Sequence, residues 1–195
     1  MKLWLKIFFL RLKYRGVQLR YPELKLLIKA IAEFPNCRLL VFGLGNDSLM
    51  WQEVNQGGKT VFLEDNDQWF SKFMGSDKAA AHGIEAYKID YPYRMTEWQS
   101  LLDQPEKLAL EMPTPIAKAD WDVILVDGPE GGIVGRMSSI YMSTLLAKKG
   151  GYVFVHDCER PVEKAYTDRY LKKENLVSQS FGRALLKKYK ADFSL

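Results

Sequence analysis

Short apolar runs alternate along the chain with longer segments in which apolar residues recur every three or four positions. The runs are typical of strands buried on both faces of a parallel sheet, and the spaced segments are typical of helices. Strands are predicted at 38–42, 59–63, 85–89, 121–126 and 151–155. Helices are predicted at 23–34, 48–54, 68–74, 95–102, 138–147 and 162–171. This alternation predicts a Rossmann-like α/β fold, with a mostly parallel sheet and helices on both faces.

Residues 1–20 form a segment that mixes apolar and basic residues, and a helix is predicted there. Its uncharged runs are far shorter than the roughly 20 apolar residues that cross a bilayer, so we expect no transmembrane segment, and no signal-peptide cleavage site follows. Two interpretations stay open: a helix packed on the domain with a solvated basic face, or a peripheral membrane contact. Residues 21–195 are predicted to form one domain. An exposed Pro-rich loop is predicted at 105–115. Residues 183–189 are predicted to form either a strand or a helix.

Composition narrows the class of protein only a little. A chain of 195 residues with 47% hydrophobic residues suits a single domain with a substantial core. The net charge of +4 is too weak for a dedicated nucleic-acid binder, so we expect no nucleic-acid partner, but it is compatible with acidic ligands. Cys37 and Cys158 are too far apart for a zinc motif or a disulfide framework. A cytoplasmic location is therefore expected.

A glycine-containing loop follows the first predicted strand. Gly43 and Gly45 have no Cβ, so the loop can turn tightly and bring backbone N–H groups close to a ligand, while Asp47 and Ser48 are suited to cap the next helix. Glu64 follows about 20 residues later at the end of the second strand, where an acid can accept hydrogen bonds from ribose hydroxyls. The predicted cofactor-binding residues are those at the ends of three strands: Gly43, Gly45, Asp47, Ser48, Glu64, Asp65 and Asp127.

The loop favours a methyl donor over a dinucleotide. No third glycine completes a dinucleotide fingerprint, and the carboxylate of Asp47 would repel a pyrophosphate. S-adenosylmethionine has no phosphate and carries an ammonium and a sulfonium group, so an acid near its methionine end is acceptable. A nucleotide-sugar dehydrogenase or epimerase would also need a suitably placed Tyr-x-x-x-Lys pair, which we do not find.

Polar residues that could perform chemistry end the fourth and fifth predicted strands. Asp127 follows one strand, and His156 and Asp157 follow the other, so we expect all three to face the same crevice. Two catalytic uses are open: His156 or a carboxylate acts as the general base that deprotonates an acceptor hydroxyl, or the three residues hold a divalent metal. The structural alternative is that the two acids cap helices and His156 is a buried, satisfied histidine.

Two arginines lie just beyond these strands. Arg136 and Arg160 could each bind a substrate carboxylate through two parallel hydrogen bonds, although a surface ion pair is an equally good explanation of each one taken singly.

Together, these segments resemble the glucuronoxylan 4-O-methyltransferase family, whose domain is also known as the polysaccharide-biosynthesis domain of irregular-xylem proteins. The resemblance covers about residues 38–165 in order and spacing. It is carried by FGLGNDSLMW from Phe42, GGKTVFLED from Gly57, WDVILVDGP from Trp121, GRM from Gly135, and VFVHD from Val153 followed by Arg160, Val162 and Glu163.

The resemblance implies transfer of a methyl group from S-adenosylmethionine to the 4-hydroxyl of glucuronic acid on a polysaccharide. It implies that residues 43–48 bind the cofactor, that Glu64 binds its ribose, and that Asp127, Arg136, His156 and Asp157 line the acceptor side. We expect a compact relative without the membrane anchor of plant members, acting on a carboxylate-bearing sugar or glycan. The alternatives are a non-catalytic assembly factor for polysaccharide synthesis and a methyltransferase of another small-molecule hydroxyl.

Overall fold

A single twisted sheet forms the centre of the molecule. The computed structural model describes residues 2–130 and 132–193, and the strands within them are β1 (Arg38–Phe42), β2 (Lys59–Glu64), β3 (Glu85–Lys88), β4 (Trp121–Val126), β5 (Ala147–Val155), β6 (Leu176–Phe181) and β7 (Leu185–Lys190). Their order across the sheet is β3-β2-β1-β4-β5-β7-β6. Strands β1 to β5 are parallel, and β7 is antiparallel to both of its neighbours. The predicted mostly parallel α/β sheet is confirmed.

Helices cover both faces of this sheet. They are α1 (Leu3–Lys13), α2 (Tyr21–Ala32), α3 (Ser48–Val54), α4 (Asp67–Met74), α5 (Asp77–Ala81), α6 (Trp98–Leu101), α7 (Pro105–Leu108), α8 (Thr114–Ala117), α9 (Met137–Leu146) and α10 (Pro161–Tyr166). Single turns of 3₁₀-helix lie at Met95–Glu97 and Lys173–Asn175, and a π-helical turn at Thr167–Leu171 continues α10.

The core is divided by the sheet into two layers, and alternation along the strands assigns side chains to them. In β1, Leu40 and Phe42 pack into one layer, whereas Leu39 and Val41 pack into the other. The first layer is covered by α9 and α10, and the second by α1, α2 and α3. Each fully buried Leu or Phe side chain contributes roughly 1.5–3 kcal/mol of hydrophobic stabilisation. Because both faces of β1 are buried, its sequence contains a continuous apolar run, as predicted for a strand of this kind.

The N-terminal segment packs on the domain. Within 1–20, the helix α1 buries Ile7 and Leu10 in the layer that also contains α2. None of the helices in the described part of the chain is long and apolar enough to cross a membrane. The cytoplasmic location stays a prediction.

Several boundaries and elements differ from the sequence prediction. The segment 105–115 is not an exposed loop: it contains α7 and the start of α8, and it buries Leu108 and Leu110. Strand β5 begins at Ala147 rather than at 151, and most of the undecided segment 183–189 belongs to strand β7, which begins at Leu185. Strand β6 and helix α5 were not predicted. Strand β6 lies at the sheet edge and alternates between half-buried and exposed residues, so its apolar signal is weak.

Candidate functional site

The carboxyl ends of four neighbouring strands align in one row. The register pairs Phe42 with Leu63 and with Val126, and it pairs Val126 with Val155. One residue further along each strand, the backbone ladder continues from Gly43 N to Leu63 O at 2.8 Å, from Asp127 N to Phe42 O at 3.0 Å and from His156 N to Val126 O at 3.1 Å. The glycine loop, Glu64, Asp127 and His156 therefore lie side by side. This is the edge where open α/β sheets bind ligands.

The loops after β1 and β4 touch backbone to backbone. Gly43 has φ +114°, in the region that favours glycine. A Cβ atom on Gly128 would lie only 2.8 Å from the Cα of Gly43, so a side chain there would force the two loops apart. Ser48 holds the same loop from inside: it is fully buried, and its Oγ accepts a hydrogen bond from Gly45 N at 2.9 Å. Ser48 therefore stabilises the loop, and its predicted role in cofactor binding stays a prediction.

Glu64 connects the glycine loop to the end of β2. Its carboxylate is buried, and its two oxygens accept hydrogen bonds from Leu44 N and Asn66 N, each at 2.9 Å. Glu64 thus fixes the shape of the loop, whatever ligand it also contacts. The neighbouring Asp65 is half-buried, and its pKa is raised by burial and by the negative charge of Glu64.

Asp47 places a second acid at the mouth of the site. Its Oδ2 accepts a hydrogen bond from Trp51 Nε1 at 2.9 Å, one turn further along α3. Burial and the negative charge of Asp127 raise the pKa of Asp47 to about 6. Two carboxylates, those of Asp47 and Asp127, therefore lie near each other beside the glycine loop, and they favour a cationic ligand group over an anionic one.

Arg136 is buried next to Asp127, immediately before α9. Its NH1 donates to His156 O at 2.7 Å, its NH2 donates to Asp127 O at 2.9 Å, and the same NH2 lies 2.8 Å from Asp157 Oδ2. Only 5% of its side chain is exposed. An acceptor carboxylate could reach the guanidinium only by displacing these partners. The structure therefore does not support the predicted substrate-binding role of Arg136, which instead ties the loops after β4 and β5 together.

Arg160, unlike Arg136, remains accessible to solvent. Its side chain is 43% exposed, and its NH2 lies 3.1 Å from Asp157 Oδ2 at the start of α10. Asp157 itself has φ +61°, a left-handed conformation that is uncommon outside glycine but tolerated by aspartate. Backbone strain of this kind is concentrated at functional sites.

His156 is held on both sides by carboxylates. Nδ1 lies 3.1 Å from Asp127 Oδ1, and Nε2 lies 3.0 Å from Glu23 Oε1. Burial lowers the pKa of His156, but the hydrogen bond and charge of Asp127, with the charge of Asp157 and the hydrogen bond of Glu23, outweigh burial and raise it. A histidine with both nitrogens engaged is poorly placed to take a proton directly from an acceptor. This geometry weakens the hypothesis that His156 is itself the general base. It favours the alternative that a carboxylate accepts the proton.

Asp127 is the most accessible member of the cluster, with 27% of its side chain exposed. Its Oδ1 lies near His156 Nδ1 and 3.2 Å from Arg136 NH2, whereas Oδ2 has no hydrogen-bond partner among the described residues. Burial raises the pKa of Asp127, but the hydrogen bond from His156 and the charge of Arg136 outweigh burial and lower it. The carboxylate is therefore ionised at neutral pH, with one oxygen available.

Three of these side chains could also hold a metal ion. One donor atom each from Asp127, His156 and Asp157 lies within 4.8 Å of the others. Two carboxylates and an imidazole suit divalent transition metals. In this arrangement Glu23 would hold the opposite nitrogen of the histidine, as carboxylates do behind metal-bound histidines. The donor set therefore fits a divalent cation.

The family model described as IRX15/IRX15L/GXM matches the sequence over residues 22–110 and 104–189, which includes every residue of this site. The chain belongs to the IRX15/IRX15L/GXM family. The resemblance drawn from the sequence motifs is confirmed.

Two members of this family from Arabidopsis thaliana indicate how far the similarity extends. Protein IRX15-LIKE is 38% identical and aligns with 75% of this chain and 54% of its own length. Glucuronoxylan 4-O-methyltransferase 2 is 33% identical and aligns with 79% of this chain and 60% of its own length. The chain thus spans little more than half the length of these relatives.

Among solved structures, MycE methyltransferase from the mycinamycin biosynthetic pathway, in complex with Mg and SAH, is similar with a TM-score of 0.56. It is 14% identical, and the match covers 95% of this chain and 48% of that chain. At this identity the likeness concerns the fold alone, and it confirms the predicted Rossmann-like α/β fold.

Two site residues of this family member were missed from the sequence. Glu23 is fully buried at the start of α2, where its position three residues after Arg20 and next to Pro22 indicates a helix cap and nothing more. Tyr91 follows β3, its hydroxyl lies 2.8 Å from Ser139 Oγ on α9, and burial together with the nearby charges of Asp65 and Glu64 raises its pKa. Neither residue belongs to a motif, because each reaches the site through contacts distant in sequence.

Proposed function

We propose that the chain is an S-adenosylmethionine-dependent O-methyltransferase that acts on a sugar hydroxyl of a glucuronate-like acceptor. The observation that carries the proposal is the pair of neighbouring acids, Asp47 and Asp127, beside the glycine loop. A cationic methyl donor is attracted there, whereas the pyrophosphate of a dinucleotide is repelled. The name of glucuronoxylan 4-O-methyltransferase 2 supports the same reaction class.

S-adenosylmethionine would be held along the row of strand ends. The backbone of Gly43 and Gly45 would approach its methionine part, Asp47 would face its ammonium group, and Glu64 with Asp65 would lie at the ribose end. In the reaction, the acceptor oxygen attacks the methyl carbon, the carbon–sulfur bond breaks, and the electron pair remains on sulfur.

The acceptor hydroxyl loses its proton to Asp127. Oδ2 accepts it, while Oδ1 stays bonded to His156 and Arg136. A carboxylate with a lowered pKa is a weak base towards an alcohol. A divalent cation held by Asp127, His156 and Asp157 would lower the pKa of the acceptor hydroxyl and so compensate for this weakness. Arg160 binds the acceptor carboxylate and orients the ring.

Calorimetric titration with S-adenosylmethionine and with NAD tests the cofactor. Transfer of a labelled methyl group to glucuronate-substituted and to unsubstituted xylo-oligosaccharides then tests the acceptor. We expect binding of the methyl donor alone, transfer to the uronate-bearing acceptor, and loss of transfer in Asp127→Asn but not in the exposed control Asp103→Asn. Failure to bind the methyl donor would favour a non-catalytic role in polysaccharide assembly, because the relative IRX15-LIKE is not named for an activity.

A further inference from the structure

Helix α1 carries two apolar faces, and only one of them is used by the fold. The inner face buries Ile7 and Leu10, which are 1% and 4% exposed. The outer face consists of four large apolar side chains that remain more than half exposed: Trp4 at 53%, Phe8 at 54%, Phe9 at 55% and Leu12 at 54%. Helices on the surface of a soluble domain normally present polar residues on this side.

These four residues form one continuous surface, which we term the α1 outer face. Trp4, Phe8 and Leu12 are spaced one helical turn apart, so they lie in a row along the helix. Phe9 widens the row, since its ring meets that of Phe8 edge to face at 5.6 Å between centroids. Of the nine large apolar side chains exposed in the described residues, four lie on this short helix. The clustering distinguishes the surface from scattered exposed apolar residues.

A basic rim surrounds the α1 outer face. Residues 1–22 contain six lysines and arginines and no acid. Lys13 is paired with Glu53, whereas Lys2, Arg11 and Arg15 are exposed. Two copies joined through this face would bring like charges together, which disfavours a dimer. An anionic lipid surface complements both features, because apolar and aromatic side chains enter the interface while Lys and Arg remain at the headgroups.

We propose that the α1 outer face docks the protein on an anionic lipid surface, with the helix lying in the plane of the interface. The family match begins at residue 22, so α1 lies outside it and the proposal does not rest on methyl transfer. The chain just after α1 lies against the glycine loop. Gly16, three residues beyond α1, packs so closely on Asn46 of the glycine loop that a Cβ atom would lie 2.7 Å from the Asn46 Cβ.

Flotation of the chain with vesicles tests this proposal. We expect wild type to float with phosphatidylcholine vesicles that contain about 30% phosphatidylserine, to remain behind with phosphatidylcholine alone, and to be released by roughly 0.5 M salt. Phe8→Ser with Phe9→Ser should reduce binding about tenfold or more, and so should Lys2→Gln with Arg11→Gln and Arg15→Gln.

Matched controls use exposed residues elsewhere on the molecule: Val177→Ser with Phe181→Ser for the apolar change, and Lys78→Gln with Lys107→Gln and Lys118→Gln for the charge change. They should bind vesicles like wild type. Circular dichroism confirms that each variant is folded. The proposal is overturned if wild type does not float, or if the controls lose as much binding as the α1 variants. It is equally overturned if ultracentrifugation shows a dimer that Phe8→Ser with Phe9→Ser dissociates while vesicles remain unbound.

Discussion

Glu23 Oε1 lies 3.0 Å from His156 Nε2, although the two residues are 133 positions apart in the sequence. The same carboxylate accepts hydrogen bonds from Arg20 N at 2.6 Å, Arg183 N at 3.2 Å and Ala184 N at 3.3 Å. One fully buried acid thus joins the start of α2, the turn between β6 and β7, and the central histidine of the site. It fixes which nitrogen of His156 faces Asp127.

Replacing Glu23 should therefore affect both stability and turnover. Glu23→Gln places an amide where the carboxylate accepts from several N–H groups, so we expect the free energy of unfolding to fall by about 1–3 kcal/mol. Turnover should also decrease, with the Kd for S-adenosylmethionine little changed, because His156 loses its orientation. Urea unfolding and steady-state kinetics measure the two effects. Glu106→Gln, an exposed acid on α7, is the control, and equal unfolding of both variants would contradict the assignment.

Glu64 should control affinity for the cofactor through the loop. In Glu64→Gln, an amide group faces either Leu44 N or Asn66 N, so one backbone donor loses its acceptor. We expect the Kd for S-adenosylmethionine to rise about tenfold or more. Calorimetry measures it, with the exposed Glu111→Gln as control. An unchanged Kd would mean that the loop keeps its shape without this carboxylate.

Asp47 should make cofactor binding pH-dependent. The pKa of this acid is raised to about 6 by burial and by Asp127, so Asp47 is ionised at neutral pH and becomes protonated as the pH falls below that value. Only the ionised form attracts the ammonium group of the cofactor, and affinity should therefore decline between roughly pH 7 and 5. Asp47→Asn should bind more weakly at pH 7 and lose most of this dependence, whereas Asp67→Asn should keep it. Parallel curves for all three proteins would disprove the assignment.

The two arginines of the site should respond differently to conservative replacement. Arg136→Lys loses several buried hydrogen bonds, and we expect the free energy of unfolding to fall by about 1–3 kcal/mol. Arg160→Lys should leave stability unchanged and raise KM for a uronate-bearing acceptor. Arg169→Lys is its matched control, since Arg169 is 50% exposed and pairs with Asp103 at 2.8 Å. If Arg160→Lys behaves like that control, the acceptor carboxylate is bound elsewhere.

Removal of divalent cations should lower methyl transfer. A chelator is expected to reduce turnover, and added Mn²⁺, Co²⁺ or Zn²⁺ to restore it, because their preferred ligands are those of Asp127, His156 and Asp157. The Kd for S-adenosylmethionine should change little, since the glycine loop supplies none of these ligands. Full turnover after chelation would show that the cluster acts through its carboxylates alone.

The sequence alone determined the layered plan of the protein. The predicted strand 38–42 and helix 48–54 agree with β1 and α3, because buried parallel strands and amphipathic helices are encoded by the local period of apolar residues. The order of motifs also identified the family. The same reasoning placed Gly43, Glu64, Asp127 and His156 at one edge, since parallel strands end on the same side of their sheet.

Tertiary structure decided how exposed those residues are and which partners they contact. Arg136 and Arg160 have the same chemistry in the sequence, yet one side chain is 5% exposed and the other 43%. The Ser48 side chain points into its own loop, where it bonds to Gly45 N. Glu23 contacts His156 from α2, which lies far upstream in the sequence. Burial and long-range hydrogen bonds depend on how the elements pack, and no local periodicity encodes that packing. The sequence therefore located the candidate site, whereas packing separated the buried residues that hold it together from the residues that remain accessible.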